Sequence, residues 1–139
     1  MRGMNQATFR TFVVVSLAAI LGLLVWRFVL PRQGALHDPA VNAIGHLSGR
    51  YVGRRPGVEL DIDVILEGLE VTGVALEING ALDRLDATSE VARRAMARGV
   101  DFVIDTDSHH TSDLVRMGYG VTYAQRGWVT TDRVVNARP

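Results

Sequence analysis

Residues 74–110 read VALEINGALDRLDATSEVARRAMARGVDFVIDTDSHH, and their periodicity decides the fold class. The run opens on one short apolar strand, Val74–Ile78, and closes on another, Val100–Ile104. Between them Ala81–Asp86 is a loop. Thr88 or Ser89 then caps a helix over Glu90–Arg98, which Gly99 ends. A strand, a helix and a second strand at this spacing make a β/α unit whose strands run parallel.

The pattern continues on both sides. Upstream, Leu60–Thr72 carries Ile62, Ile65, Leu66 and Leu69 on one helical stripe, with Asp61 or Asp63 at its start and Gly73 just past its end. Before it lie a short strand, Val41–Ile44, and a polar loop, His46–Gly57, that contains Arg50, Arg54 and Arg55. Downstream, Ser112–Gly118 reads as a short helix and Val121–Tyr123 as a final strand. Thr130–Asn136 reads as another short helix, opened by a Thr-Thr-Asp capping signal. The predicted class is α/β with a parallel sheet. In such folds chemistry gathers at the carboxyl ends of the strands. The residues to weigh are therefore Gly45-His46, Glu77-Ile78-Asn79 and Asp105 to His110.

The chain has 139 residues, room for one modest domain. With 47% hydrophobic and 22% charged residues it is ordinary globular material, which excludes disorder throughout. A net charge of +0 argues against a globally basic nucleic-acid binder. The absence of Cys excludes disulfides, thiolate metal sites and cysteine nucleophiles, and the absence of Lys excludes Schiff-base and P-loop lysine chemistry. The neutral total hides a split. Residues 1–34 hold Arg2, Arg10, Arg27 and Arg32 and no acid, whereas acids outnumber arginines in the remainder.

That first segment is a candidate for a different solvent. Thr11–Trp26 is free of charge, and Thr11–Leu30 is interrupted only by Arg27 before Pro31 ends it. At about 1.5 Å per residue it matches the roughly 30 Å hydrocarbon core of a bilayer. The expectation is an apolar N-terminal helix over residues 1–34 acting as a single-pass membrane anchor through residues 11–30, with the rest of the chain cytoplasmic. A secretory signal peptide, a buried core helix in a cytoplasmic protein and a mis-assigned start or frameshift are the alternatives. The positive-inside rule does not choose a topology, because Arg residues flank both ends.

In the remaining chain, Asp107 and His109 are one residue apart, so in extended backbone their side chains share a face. A carboxylate beside an imidazole suits a divalent ion of the Zn or Mn kind, and His46 follows an earlier strand in the same way. The same residues also suit a solvated loop or a helix cap. Arg50, Arg54 and Arg55 are candidate phosphate ligands. The competing reading pairs them with the acids of 59–63. Glu77, at a strand end, reads as an ion-pair partner for an arginine. Asp105 reads as a supporting carboxylate or a cap.

Four stretches carry a likeness: HDPAVNAIGHLSGRYVGRRP (37–56), GVALEINGALDRLD (73–86), TDSH (106–109) and MGYGVTYAQRGWVT (117–130). In order and spacing they resemble the C-terminal part of the polymerase and histidinol phosphatase (PHP) domain, in particular the one fused to bacterial family X DNA polymerases. The resemblance implies a metal-dependent phosphoesterase on a distorted TIM-like barrel, with a site for several divalent ions, Zn or Mn. The implied activity is 3′–5′ exonuclease or 3′ phosphoester trimming, or histidinol-phosphate hydrolysis in stand-alone relatives. It implies His46, Asp107 and His109 as metal ligands. Leu47-Ser48 stands where the family has Pro-Thr, and Ser108 where it has Ala.

The family's other ligands belong to an N-terminal half, in whose place stands 1–34. Residues 35–139 are then expected to form about three to four β/α units of the barrel. The expectation is a truncated phosphoesterase domain, inactive on its own, acting on a phosphoester or a DNA 3′ end only if a homo-oligomer or another chain completes it. The alternative is a membrane-tethered, non-enzymatic α/β interaction module.

Overall fold

The computed structural model describes residues 34–138, and the chain divides into two units, Met1–Asp38 and Pro39–Pro139. Of the first unit only 34–38 is described, as a 3-10 turn over Ala35–His37. The expected N-terminal helix, including residues 11–30, lies outside the described residues.

The second unit runs β1 (Ala43–Ile44), α1 (Ile62–Thr72), β2 (Ala75–Asn79), α2 (Ser89–Ala97), β3 (Phe102–Asp105), a 3-10 turn (Thr111–Arg116) and α3 (Met117–Arg126). Two further 3-10 turns, Thr131–Arg133 and Val135–Ala137, follow. The strands form a parallel sheet in the order β1-β2-β3, with Ile44 opposite Leu76, Leu76 opposite Phe102 and Ile78 opposite Ile104. This is the expected α/β class. A closed barrel is not formed by the described strands.

The capping signals act where the sequence puts them. The Asp61 carboxylate accepts from the Val64 N–H at 3.3 Å, and Gly73 ends α1 at φ +72°. Thr88 caps α2 through the Val91 N–H at 3.3 Å, and Gly99 turns the chain at φ +73°. A left-handed C-terminal residue costs a side chain about 1–2 kcal/mol and glycine nothing. Leu66 and Leu69 of α1 and Ala92 and Ala95 of α2 are buried with Leu76, Ile78, Phe102 and Ile104 of the sheet. On the outer surface Arg94 of α2 and Arg98, just past its end, pair with Asp63 of α1 at 2.7 and 3.3 Å.

Two expectations need correction. Val121–Tyr123 is not a strand but lies in the middle of α3. The helix buries Gly120 and Ala124 and leaves Val121 exposed, so its core face is made of small residues rather than a large apolar stripe. The reason is close approach: a Cβ on Gly120 would lie 2.8 Å from Ile104 Cγ2, and one on Gly127 2.7 Å from the Ala92 Cβ. Likewise Thr130–Asn136 is not one helix but two 3-10 turns separated by Val134, which bridges Phe102 in parallel. Beside it the Asn136 side chain donates to the Ile104 carbonyl at 2.7 Å and accepts from the Ile104 N–H at 3.2 Å. A side-chain amide thus takes the place of a neighbouring strand on the outer edge of β3.

The loops after β1 and β2 are bound to each other. Asp86, 1% exposed, accepts through Oδ2 from the Ser48 N–H (2.8 Å), the Ser48 hydroxyl (3.0 Å) and the Gly49 N–H (3.1 Å). Arg50 donates to the carbonyls of Arg84, at 2.7 Å, and Leu85, and the Val52 N–H donates to the Asp83 carbonyl at 2.7 Å.

These contacts predict graded responses. Gly120→Ala overpacks α3 against β3 and lowers stability by about 1–3 kcal/mol, whereas Gly118→Ala, with nothing within 4 Å of the new Cβ, raises it by up to about 1 kcal/mol. Urea denaturation midpoints of the two variants check this. Asp86→Ala strips three donors of their acceptor and costs about 3 kcal/mol in the same measurement, and Ser48→Ala, which removes one of the three bonds, costs about 1.

Candidate phosphoester site at the strand ends

Alternation along the strands builds the site. Leu76 and Ile78 face the same way as their partners Phe102 and Ile104, so the intervening Glu77 and Asn79 point to the opposite face. In the β2–β3 register Asn79 lies opposite Asp105, which shares that face. Glu77 and Asn79 are 8% and 0% exposed. The apolar face becomes the core, and the other carries the buried Glu77 and Asn79 and the half-buried Asp105.

Just past β1, His46 takes a left-handed backbone (φ +51°), and just past β3 so does Asp107 (φ +49°). Each costs about 1 kcal/mol or more for a side-chain-bearing residue. The two residues meet at the rim, His46 Nε2 lying 3.8 Å from Asp107 Oδ2. On its other side His46 Nδ1 is 3.5 Å from Glu77 Oε2, and the Glu77 carboxylate accepts the His46 backbone N–H. Gly45 makes room for this carboxylate: a Cβ there would lie 3.2 Å from Glu77 Oε2.

Asn79 orients the imidazole. Its Oδ1 accepts the Ala81 N–H at 2.9 Å, which turns its amide nitrogen toward Glu77 Oε1 (3.2 Å) and His46 Nδ1 (3.3 Å). An amide N–H donating to Nδ1 leaves the ring proton on Nε2, facing Asp107. Burial pushes the Glu77 carboxyl up to about 7 against the stabilising His46 N–H, and the Asp105 carboxyl that hydrogen-bonds it raises it further. The Asp105 Oδ1 is buried without a hydrogen-bond partner.

The sequence-predicted ligands meet only in part. His46 and Asp107 come together, whereas the His109 ring turns back, its Nδ1 2.8 Å from the Asp107 carbonyl. Asp107 also faces Arg84 Nε at 3.6 Å. With Asp107 shared with a guanidinium and the His109 ring turned back, the side chains of His46, Asp107 and His109 do not converge on one point in this arrangement. Among the described residues no cluster of three or more such side chains is arranged to hold an ion.

Other assignments shift as well. Glu77 pairs with His46, not with an arginine. Asp63, among the acids weighed as partners for the loop arginines, is taken by Arg94 and Arg98. Arg50 has two guanidinium N–H groups on carbonyls and serves to hold the loops, while Arg54 and Arg55 line an open cleft. His110 caps the turn that follows it by accepting from the Ser112 N–H at 3.3 Å. Sequence reasoning passed over Arg84 and Asp86, which stand in an aperiodic loop. The roles of Glu77 and Asn79 had a signal, since both fall on the polar alternate of VALEIN.

No family model matches the chain. Over 106 residues, 76% of its length, it is 44% identical to the DNA polymerase/3′-5′ exonuclease PolX of Bacillus subtilis. The chain spans 19% of that protein's length. The expected single-pass membrane localisation is corrected on two grounds: the relative is a DNA polymerase and exonuclease by name, and no helix among the described residues is long and apolar enough to cross a membrane. The stretch 11–30 behind that expectation lies outside the described residues. By sequence, the chain is similar to one segment of this polymerase/exonuclease.

Proposed function

We propose that Pro39–Pro139 is the C-terminal part of a PHP-type phosphoester site of the 3′–5′ exonuclease kind, and that the chain does not hydrolyse phosphoesters on its own. The likeness to the named polymerase/exonuclease supports the first half of this reading. The observation that carries the second is the incomplete donor set: His46 and Asp107 converge at the rim, and His109 does not join them.

Within this reading each side chain has a task. Glu77 and Asn79 hold the His46 loop and ring in one orientation. The Nε2 proton of His46 points at the rim, where a phosphoester oxygen would accept it. Arg84, beside Asp107, sets a fixed positive charge where negative charge would develop. A divalent ion of the kind the resembled family holds would need ligands beyond His46 and Asp107. A second copy or another chain is the source of such ligands in this proposal.

The purified full chain, supplied with Mn2+ or Zn2+, is expected to release no product above background from p-nitrophenyl phosphate, histidinol phosphate or a 3′-labelled DNA strand. Turnover that disappears in His46→Ala would overturn the proposed inactivity and leave the site assignment standing. Turnover untouched by His46→Ala and Asp107→Asn would overturn both.

A further inference from the structure

The outer edge of β3 is closed by a segment without strand structure. The Leu76 N–H donates to the Asp101 carbonyl and the Gly80 N–H to the Asp105 carbonyl, at 2.9 and 2.8 Å, so the backbone groups of alternate residues 101, 103 and 105 face β2. Those of Phe102 and Ile104 face the other way. There Val134 bridges Phe102 in parallel, and the Asn136 side chain takes both the N–H and the carbonyl of Ile104. Beside it two arginines clasp Asp101, Arg133 at 3.4 Å and Arg138 at 2.8 Å, and Arg133 also donates to the Gly99 carbonyl at 2.8 Å.

This cover is lightly held. Of residues 130–138 only Val134 is buried. The clasp on Asp101 is made by solvent-facing guanidiniums, and such pairs contribute little and weaken with salt. A segment with so few buried contacts opens at low cost. Beneath it lies an edge of the kind that pairs strands: residues 100–105 read VDFVID, apolar and β-branched, without Pro or Gly. The other edge strand, β1, is two residues long and offers no comparable ladder. The outward groups of β3 are also self-complementary. About a two-fold axis at Val103, the N–H and C=O of Phe102 meet the C=O and N–H of Ile104 in a second copy, and the reverse. Two hydrogen-bonded pairs then flank a central non-hydrogen-bonded pair, Val103 against Val103, which is an antiparallel ladder. A second copy of β3 therefore satisfies all four groups with no other sequence required.

We propose that residues 130–138 are a displaceable strap over a latent pairing edge, and that when the strap lifts, β3 pairs antiparallel with β3 of a second copy of this chain about Val103. The inference does not rest on the phosphoester reading. The chain has no Cys, so a cysteine placed at position 103 reports alone. In the central pair the two Cα atoms stand about 4.5 Å apart, within the span of a disulfide. Under a mild thiol oxidant, the full chain carrying Val103→Cys is expected to cross-link about tenfold faster when Asn136→Asp is added. The new carboxylate still accepts the Ile104 N–H but cannot donate to its carbonyl, and one hydrogen bond is lost. Leu82→Cys, exposed in the loop after β2, is expected to cross-link at one slow rate with and without Asn136→Asp. Arg138→Ala leaves the Asn136 bonds in place and serves as a second opening variant, as does about 0.5 M salt with the strap intact; both are expected to speed the cross-link at position 103. Circular dichroism checks that each variant is folded. Sedimentation velocity of the cysteine-free Asn136→Asp chain is expected to show a dimer that grows with concentration beyond any in the parent. Equal cross-linking at position 103 with the strap intact and opened would overturn the strap. Dimers of Asn136→Asp that do not cross-link through position 103 would overturn the pairing. So would faster hydrogen exchange at the Ile104 amide with no dimer, which would leave the edge to a strand of another chain.

Discussion

Side chains alternate across a strand, and the in-register pairing of β2 with β3 turns that alternation into two faces of opposite character. Leu76, Ile78, Phe102 and Ile104 make one face, which the helices cover. Glu77, Asn79 and Asp105 make the other. A slip of β2 by one residue would place Glu77 and Asn79 in the apolar core and Leu76 and Ile78 at the rim. Everything assigned to the site follows from that register: the hold on the His46 backbone, the orientation of its ring, and the contact between Glu77 and Asp105.

Around this frame the chain saves space with small residues. Gly80 lies so near the Arg116 and Asp105 carbonyls that a Cβ would come within 2.6 and 3.0 Å of them, and Gly120 touches Ile104 in the same way. Helix α3 therefore rests almost directly on the sheet. The same economy explains why α3 was legible only in part. A helix whose buried face is Gly120 and Ala124 has no apolar stripe, and Val121 and Tyr123 beside them imitate a strand. By contrast, α1 and α2 carry explicit start and stop chemistry in Asp61, Thr88, Gly73 and Gly99, and both helices stand close to where sequence alone puts them.

The site divides along similar lines. That His46 and Asp107 would meet follows from their positions after parallel strands, and they do meet. The path of the chain after Asp107 does not follow from spacing, because the left-handed turn at that residue breaks the extended geometry on which a shared face with His109 depends. Arg84 and Asp86 act across more than thirty residues of sequence, on Asp107's side and on the Ser48 loop respectively, and nothing periodic marks them. Charge type pointed to Arg50, Arg54 and Arg55 alike; only tertiary hydrogen bonding separates the first, bound to carbonyls, from the other two.

The fastening of the two rim loops by Asp86 and Arg50 has a consequence for any guest. Two unattached loops would have to be immobilised when a molecule arrives, and that loss of freedom would be subtracted from its affinity. Here the immobilisation belongs to the folding reaction, since the acceptors and donors that hold the loops lie within the protein itself. The surface beside His46 is a template with its shape set in advance, and recognition on it is governed by fit and charge alone.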